Sequence, residues 1–238
     1  MGYVEKEKRK HYLMIGFVFM LILGFFGDAM LLERGNSSET AMAGLLNMGL
    51  GEIPMWHFMV SFFVGIPAAL GYWIGTRSVW SYVTDGLAGK ESKVLDIYKG
   101  ATAAMTLVLF GQHTICTMGL MLLRAAILSG VSAETMTQNF LIAYMVPFVT
   151  GTLIQTISNG FECVAFVIMI CKKMIPVSRA WILLSPGVLY VICMLLMQIN
   201  NATIGCKPLN MLFACSESWA FGFSFLCVFF AIKKNDNF

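Results

Sequence analysis

The chain of 238 residues is 58% hydrophobic and only 12% charged, against about 25% charged residues in soluble domains. With a mean hydropathy of +0.76, it carries more apolar surface than a soluble globule of this length can hide. A formal net charge of +3, with no basic run interleaved with aromatics, excludes nucleic acid as a partner.

A helix needs about 20 mainly apolar residues to cross a bilayer, and six runs meet that length: 12–32, 55–76, 103–127, 143–171, 180–200 and 209–232. The expected fold is therefore all-α, a polytopic membrane protein with one integral membrane domain over residues 1–238, built as a six-transmembrane-helix bundle. The first run has a basic front but continues past Asp28 to Leu32 without a small-residue cleavage site, so it reads as a retained span and not a signal peptide. In outer loop 33–54, Ser37-Ser38-Glu39 followed by apolar residues up to Leu50 predicts a short capped helix lying on the membrane. Inner loop 78–100 mixes both charge signs and reads as a solvated connection. In the fourth run Pro147 marks either a kink or the true start of the helix.

Lysine and arginine counts orient the bundle. On the N-terminal side lie Lys6, Lys8, Arg9, Lys10, Arg77, Lys90, Lys93, Lys99, Lys172, Lys173, Arg179, Lys233 and Lys234, and on the opposite side only Arg34 and Lys207. Thirteen against two, alternating across all six runs, predicts cytoplasmic N- and C-termini. The seven cysteines include no CxxC pair, so neither a zinc motif nor a redox motif is expected. Only Cys206 and Cys215 lie near the outer surface, where pairing is chemically open. With three histidines, one of them His11 at the cytoplasmic end, no metal site is expected, and no cofactor is implied.

Six ionisable residues fall well inside the apolar runs: Asp28, His57, His113, Arg124, Glu162 and Glu217. A charge in hydrocarbon is expensive, so such a residue normally faces the bundle interior, a partner or a wet cavity. In the fourth run Thr152, Gln155, Asn159 and Glu162 share one helical face, and in the third Thr106, His113, Thr117 and Arg124 do so. From about 1.5 Å of rise per residue, Asp28 and Glu217 lie roughly 6–9 Å outside the midplane. His57 and Arg124 lie nearer the outer interface, and His113 and Glu162 near the middle. These residues define one candidate pocket opening outward, with His113 and Glu162 as its floor and as candidates for acid–base work. Asp28, His57, Arg124, Gln155, Asn159, Glu217 and Trp219 are the candidate ligand contacts. Plainer roles stand beside these: interhelical hydrogen bonding for the span-four stripe, snorkelling or an ion pair for Arg124, interfacial water for Asp28, and an aromatic belt for His57 beside Trp56.

Gly27-Asp28 followed by Leu31-Leu32, Gly65-Ile66-Pro67 with Gly71-Tyr72-Trp73, and Phe110-Gly111-Gln112-His113 resemble a family of uncharacterised bacterial multi-span membrane proteins, a domain of unknown function. The resemblance covers the first half of the chain and implies a compact helical membrane bundle in a bacterial plasma membrane, without implying an activity. A looser likeness is to sterol-isomerase-type membrane bundles, whose residue types are matched by Trp56, His57, His113, Glu162 and Trp219, though not in that family's order.

The sequence thus reads as an integral membrane protein whose intramembrane polar pocket binds or transports a small amphipathic or lipid-like molecule. Two alternatives remain open: an isomerase- or hydrolase-like intramembrane enzyme using His113 and Glu162, and a structural or accessory protein whose polar stripes only hold helices together. Beyond the lipid bilayer no partner is indicated, and the oligomeric state is not encoded in any visible pattern.

Overall fold

The computed structural model describes residues 3–33, 35–41 and 46–235. The described chain is almost wholly helical. Helix α1 (Lys6–Ile22) runs through a π-helical turn at Leu23–Asp28 into the short α2 (Ala29–Leu31), and is followed by α3 (Met55–Gly86), α4 (Lys93–Leu128) and α5 (Ala133–Cys171). Helices α6 (Pro186–Thr203), α7 (Lys207–Ala214) and α8 (Ser216–Asn235) complete the chain. Among the described residues five helices are long and apolar enough to cross a membrane, and α7 with α8 makes a sixth if the pair, bent by 50°, counts as one.

Several boundaries differ from the sequence expectation for identifiable reasons. The inner loop at 78–100 is mostly helix, because α3 continues to Gly86 and α4 starts at Lys93. The hydroxyls of Ser78, Ser81 and Thr84 donate back to the carbonyls of Ile74, Arg77 and Trp80 at 3.1, 2.9 and 2.7 Å, so these polar residues satisfy themselves without leaving the helix. Ser92 then caps α4 by accepting from the Leu95 amide. Likewise α5 begins at Ala133 behind the Ser132 cap, with Pro147 inside it. The fifth span starts later than expected: residues Arg179–Leu184 form a 3-10 turn, and Pro186 opens α6 where its missing N–H costs nothing.

The outer loop is not the expected membrane-surface helix. Thr40–Ala41 (β1) pairs antiparallel with Leu46–Asn47 (β2), and Met48–Glu52 forms a 3-10 turn whose Gly49 amide donates to the Asn47 side chain at 2.8 Å. Arg34 and residues 42–45 lie outside the described residues. Gly49 packs where a Cβ would collide with the Gly35 and Asn36 backbone, which ties this segment into a cap and not a free helix. Leu46, Leu50 and Ile53 pack with Phe58, Leu120, Leu123 and Met136, seating the cap on the ends of α3, α4 and α5.

Helix α1 packs between α3 and α8, α3 against α4, α4 against α5, and α6 against α8. The main core joins Leu13 and Met20 of α1 with Tyr72 of α3, Tyr98 and Met105 of α4, Phe166 of α5 and Phe221 and Phe225 of α8. Gly16 and Gly75 let α1 and α3 approach around the Phe225 ring, where an added Cβ would meet ring atoms at 2.7–2.8 Å. The outward faces carry Phe63, Leu107, Leu122, Val146, Leu153, Val164, Leu195 and Ile199, all exposed. A soluble monomer rarely leaves so continuous an apolar surface uncovered; hydrocarbon covers it at no cost.

Candidate functional site

Two irregular helices face each other in the described part of the bundle. In α1 the hydrogen-bond ladder widens over Leu23–Asp28 into a π turn, a rare feature that concentrates at functional sites. Gly24 in this turn lies against the Trp219 indole with no room for a Cβ, and the Phe25 and Trp219 ring centroids are 5.1 Å apart. Opposite it, the chain breaks at Cys215 between α7 and α8 with the 50° bend. Glu217 and Ser218 belong to the first turn of α8, directly after that break. Discontinuous helices are a common way to present polar groups inside a membrane, because the irregular backbone lines a cavity instead of lipid.

Between these irregularities lies a cavity of about 260 Å³ lined by Asp28, Gln112, His113, Gln155, Glu217, Ser218 and the phenol of Tyr190, with Leu23, Leu109 and Phe148 among its apolar walls. The Ser218 hydroxyl donates to the Asp28 carboxylate. Glu217 accepts from both amides of the α5 stripe, Gln155 Nε2 at 2.7 Å and Asn159 Nδ2 at 2.8 Å. The His113 ring approaches the Ser61 carbonyl through Nε2 at 2.8 Å. A carbonyl only accepts, so Nε2 carries the proton, with the Ser61 hydroxyl oxygen also 3.1 Å away. Nδ1 is then left facing Asp28 Oδ1 at 3.9 Å. Gly65 makes this orientation possible, since a Cβ there would overlap the imidazole.

The hydrogen-bonding groups of the cavity lean toward acceptors. The Gln112 amide donates to the Phe148 carbonyl and Thr152 hydroxyl, both at 3.1 Å, leaving its buried Oε1 without a partner. The N–H donors of Gln112 and His113 and one N–H of Gln155 are committed to protein acceptors. Two carboxylates and the imidazole Nδ1 face the cavity as acceptors beside the Tyr190 phenol, and among the described residues no lysine or arginine lines the wall. The arrangement thus offers more acceptors than uncommitted donors, with the Tyr190 hydroxyl and the second Gln155 N–H as its donors.

The structure brings Asp28, His113, Gln155 and Glu217 together at the cavity and sets Asn159 behind it as a support of Glu217. The other sequence candidates lie elsewhere. Glu162 is completely buried, does not line the cavity, and accepts from the Tyr72 hydroxyl through Oε2, while its Oε1 has no partner among the described residues. His57 pairs with Glu33, and Arg124 Nε donates to the Ile53 carbonyl, so both hold the outer cap. Trp219 packs behind the π turn, its indole N–H buried and without a described partner. Gln112, Tyr190 and Ser218 are cavity residues that periodicity did not single out, whereas Ser61, which holds the His113 ring, lies on the small-residue face that His57, Ser61 and Gly65 share in the second run. Gln112 sits beside His113 in the Phe110–His113 segment, and Ser218 beside Glu217, but nothing local signals where either side chain points.

All seven cysteines are free, and no group of three or more His, Cys, Asp or Glu capable of holding a metal occurs among the described residues.

The chain matches a protein-family profile, a family of unknown function (DUF6796), over residues 4–235. It belongs to that family. The match spans nearly the whole chain, so the relationship extends well past the first half, where the glycine-containing segments carry the visible resemblance. The α5 stripe, the α7–α8 break and the cavity are thus inside the family region along with α1, α3 and α4. Comparison with curated proteins returned no match, and comparison with solved structures returned none.

Proposed function

We propose that this DUF6796 member is an integral membrane protein of six spans, with both termini cytoplasmic, that binds and passes a small amphipathic molecule bearing a cationic or otherwise hydrogen-bond-donating head. The excess of thirteen lysines and arginines over two between the two sets of connections supports the orientation. Counting α7 with α8 as one bent span gives the even number that cytoplasmic termini require.

The observation that carries the ligand class is that Asp28 and Glu217 line one cavity with no lysine or arginine beside them among the described residues. Each carboxylate is held by neutral donors, so each is oriented but not charge-compensated. A buried charge without a counter-ion is unfavourable, and an ammonium head between Asp28 and Glu217 relieves both costs at once. The volume of about 260 Å³ lies below the roughly 300–1,000 Å³ of drug-sized sites. It suits a head group, with the apolar remainder against Leu23, Leu31, Leu32 and Phe148 at the cavity wall.

Thermal unfolding of the purified protein with short n-alkylamines and the matching n-alkanols tests this. Stabilisation by the amine that is weak for the alkanol and lost in Glu217→Gln supports the reading. Equal stabilisation by both, retained in Glu217→Gln, leaves only apolar partitioning and contradicts it.

A further inference from the structure

A second, larger cavity of about 660 Å³ lies at the opposite end of the bundle, where the N-terminus of α1, the C-terminal turns of α3 and α5 and the loop after α3 converge. Its lining includes five cations, Lys6, Arg9, Lys90, Lys172 and Lys173, and one carboxylate, Asp85. The charge is thus the inverse of that in the acidic cavity.

Arg9 forms the floor and is already spent. It is buried, pairs with Asp85 at 2.8 Å, and donates to the Val4 carbonyl at 2.9 Å and to the Tyr3 hydroxyl. Tyr3 in turn donates to Asp85 at 2.8 Å. This network fixes the base of the cavity and consumes its one carboxylate. Lys90, Lys172 and Lys173 have no ion-pair partner among the described residues, Lys6 acts on Asp85 electrostatically without a close contact, and all four are exposed. Lys173 also occupies a left-handed backbone position, φ 58°, directly after α5, where glycine or asparagine normally ends a helix. The turn so formed carries Lys172 and Lys173 on to the rim, and Met174, Pro176, Ile232 and Leu87 supply an apolar wall beside them.

Topological preference explains lysines at this end of a membrane protein. It does not explain their convergence on one concave volume with a rigid, internally neutralised floor and an apolar side. Basic pockets between helices on the cytoplasmic side suit phosphate-bearing head groups, with lysine stems lying along the apolar wall. We infer that this basal cavity is a binding site for a phosphate-bearing anion, an anionic phospholipid head group or free phosphate, held by Lys6, Lys90, Lys172 and Lys173. The inference is independent of the ligand proposed for the acidic cavity.

The test compares two double variants that remove equal charge from the same end: Lys172→Gln/Lys173→Gln inside the cavity, and Lys93→Gln/Lys99→Gln outside its lining. Folding of each is checked by size exclusion and thermal melting. Binding is measured to vesicles of phosphatidylcholine alone and with phosphatidylglycerol, by lipid retention in native mass spectrometry, and by thermal shift with inorganic phosphate in detergent. Near a membrane each lysine contributes enough that losing two weakens binding by roughly 10–30-fold. That loss is expected in the Lys172/Lys173 variant and not in the Lys93/Lys99 variant. Phosphatidylglycerol retention without a phosphate shift identifies a lipid head group as the source, and a phosphate shift lost in the same variant identifies free phosphate. Equal losses in the two variants mean diffuse surface attraction, and no loss in either means no site; both results overturn the inference.

Discussion

The Ser218 hydroxyl donates to the Asp28 carboxylate across 190 residues of sequence, joining the π turn after α1 to the first turn of α8. Both partners line the acidic cavity, so the bond ties the two irregular helices to a single polar site. Ser218→Ala removes the donor and leaves a buried carboxylate with one fewer partner. Hydrogen bonds between membrane helices are worth about 0.6–2 kcal/mol, and a loss of about that size is expected in chemical or thermal unfolding. Asp28→Asn, which keeps a hydrogen-bonding side chain of the same shape, should cost less than Asp28→Leu.

Gly65 and Gly111 lie on adjacent helices but in opposite surroundings. A Cβ at Gly65 would overlap the His113 ring, whereas nothing lies within 4 Å of one at Gly111. Gly65→Ala is therefore expected to destabilise by about 1–3 kcal/mol through overpacking and to shift the His113 imidazole resonances. Gly111→Ala should be neutral or stabilising by up to about 1 kcal/mol, because alanine loses less backbone entropy in a helix. Comparable melting of the two variants would mean that the imidazole is not seated against Gly65.

Tyr72 and Glu162 are each fully buried and bonded to each other. Tyr72→Phe leaves the carboxyl with no described partner on either oxygen, with an expected cost of about 1–3 kcal/mol. Adding Glu162→Leu should recover part of that loss, since removing both polar groups is cheaper than stranding one. A double-mutant cycle by thermal unfolding measures the coupling, and additive losses would contradict a direct bond.

His57 and Arg124 hold the outer cap through Glu33 and the Ile53 carbonyl. Arg124→Met keeps the apolar stem but frees Ile53, and should raise amide hydrogen exchange across residues 46–53 before it changes global melting. Unchanged exchange there would mean that packing of Leu50 and Ile53 alone seats the cap.

Much of this fold is legible in the sequence, because bilayer thickness demands long apolar runs and helices keep a regular period. The runs around residues 55–76, 103–127 and 143–171 each lie within one continuous helix. The irregularities are hidden for the same reason. Leu23–Asp28 and the junction at Cys215 contain no proline, and their side chains fit an unbroken helix equally well. The α5 stripe of Gln155 and Asn159 was visible from its spacing, but its partner Glu217 lies on a helix whose place in the bundle no local pattern encodes. Glu162 shares that stripe yet points past the cavity to Tyr72, because one helical turn of rise is enough to move a side chain from one polar site to another. His57 and Arg124 are ionisable and near the outer end, as depth counting indicates, but the cap that engages them is made from a loop with no periodicity.

Isothermal titration of a short alkylamine into the wild type and into Asp28→Asn/Glu217→Gln, with the matching alkanol as control, bears most directly on the acidic cavity as a cation-head site. Hydrogen bonds to charged groups are worth about 1.5–3 kcal/mol each, so the double variant should bind the amine at least about tenfold more weakly, with alkanol affinity unchanged. Equal amine affinity in the two proteins, or no preference of the wild type for amine over alkanol, would contradict it.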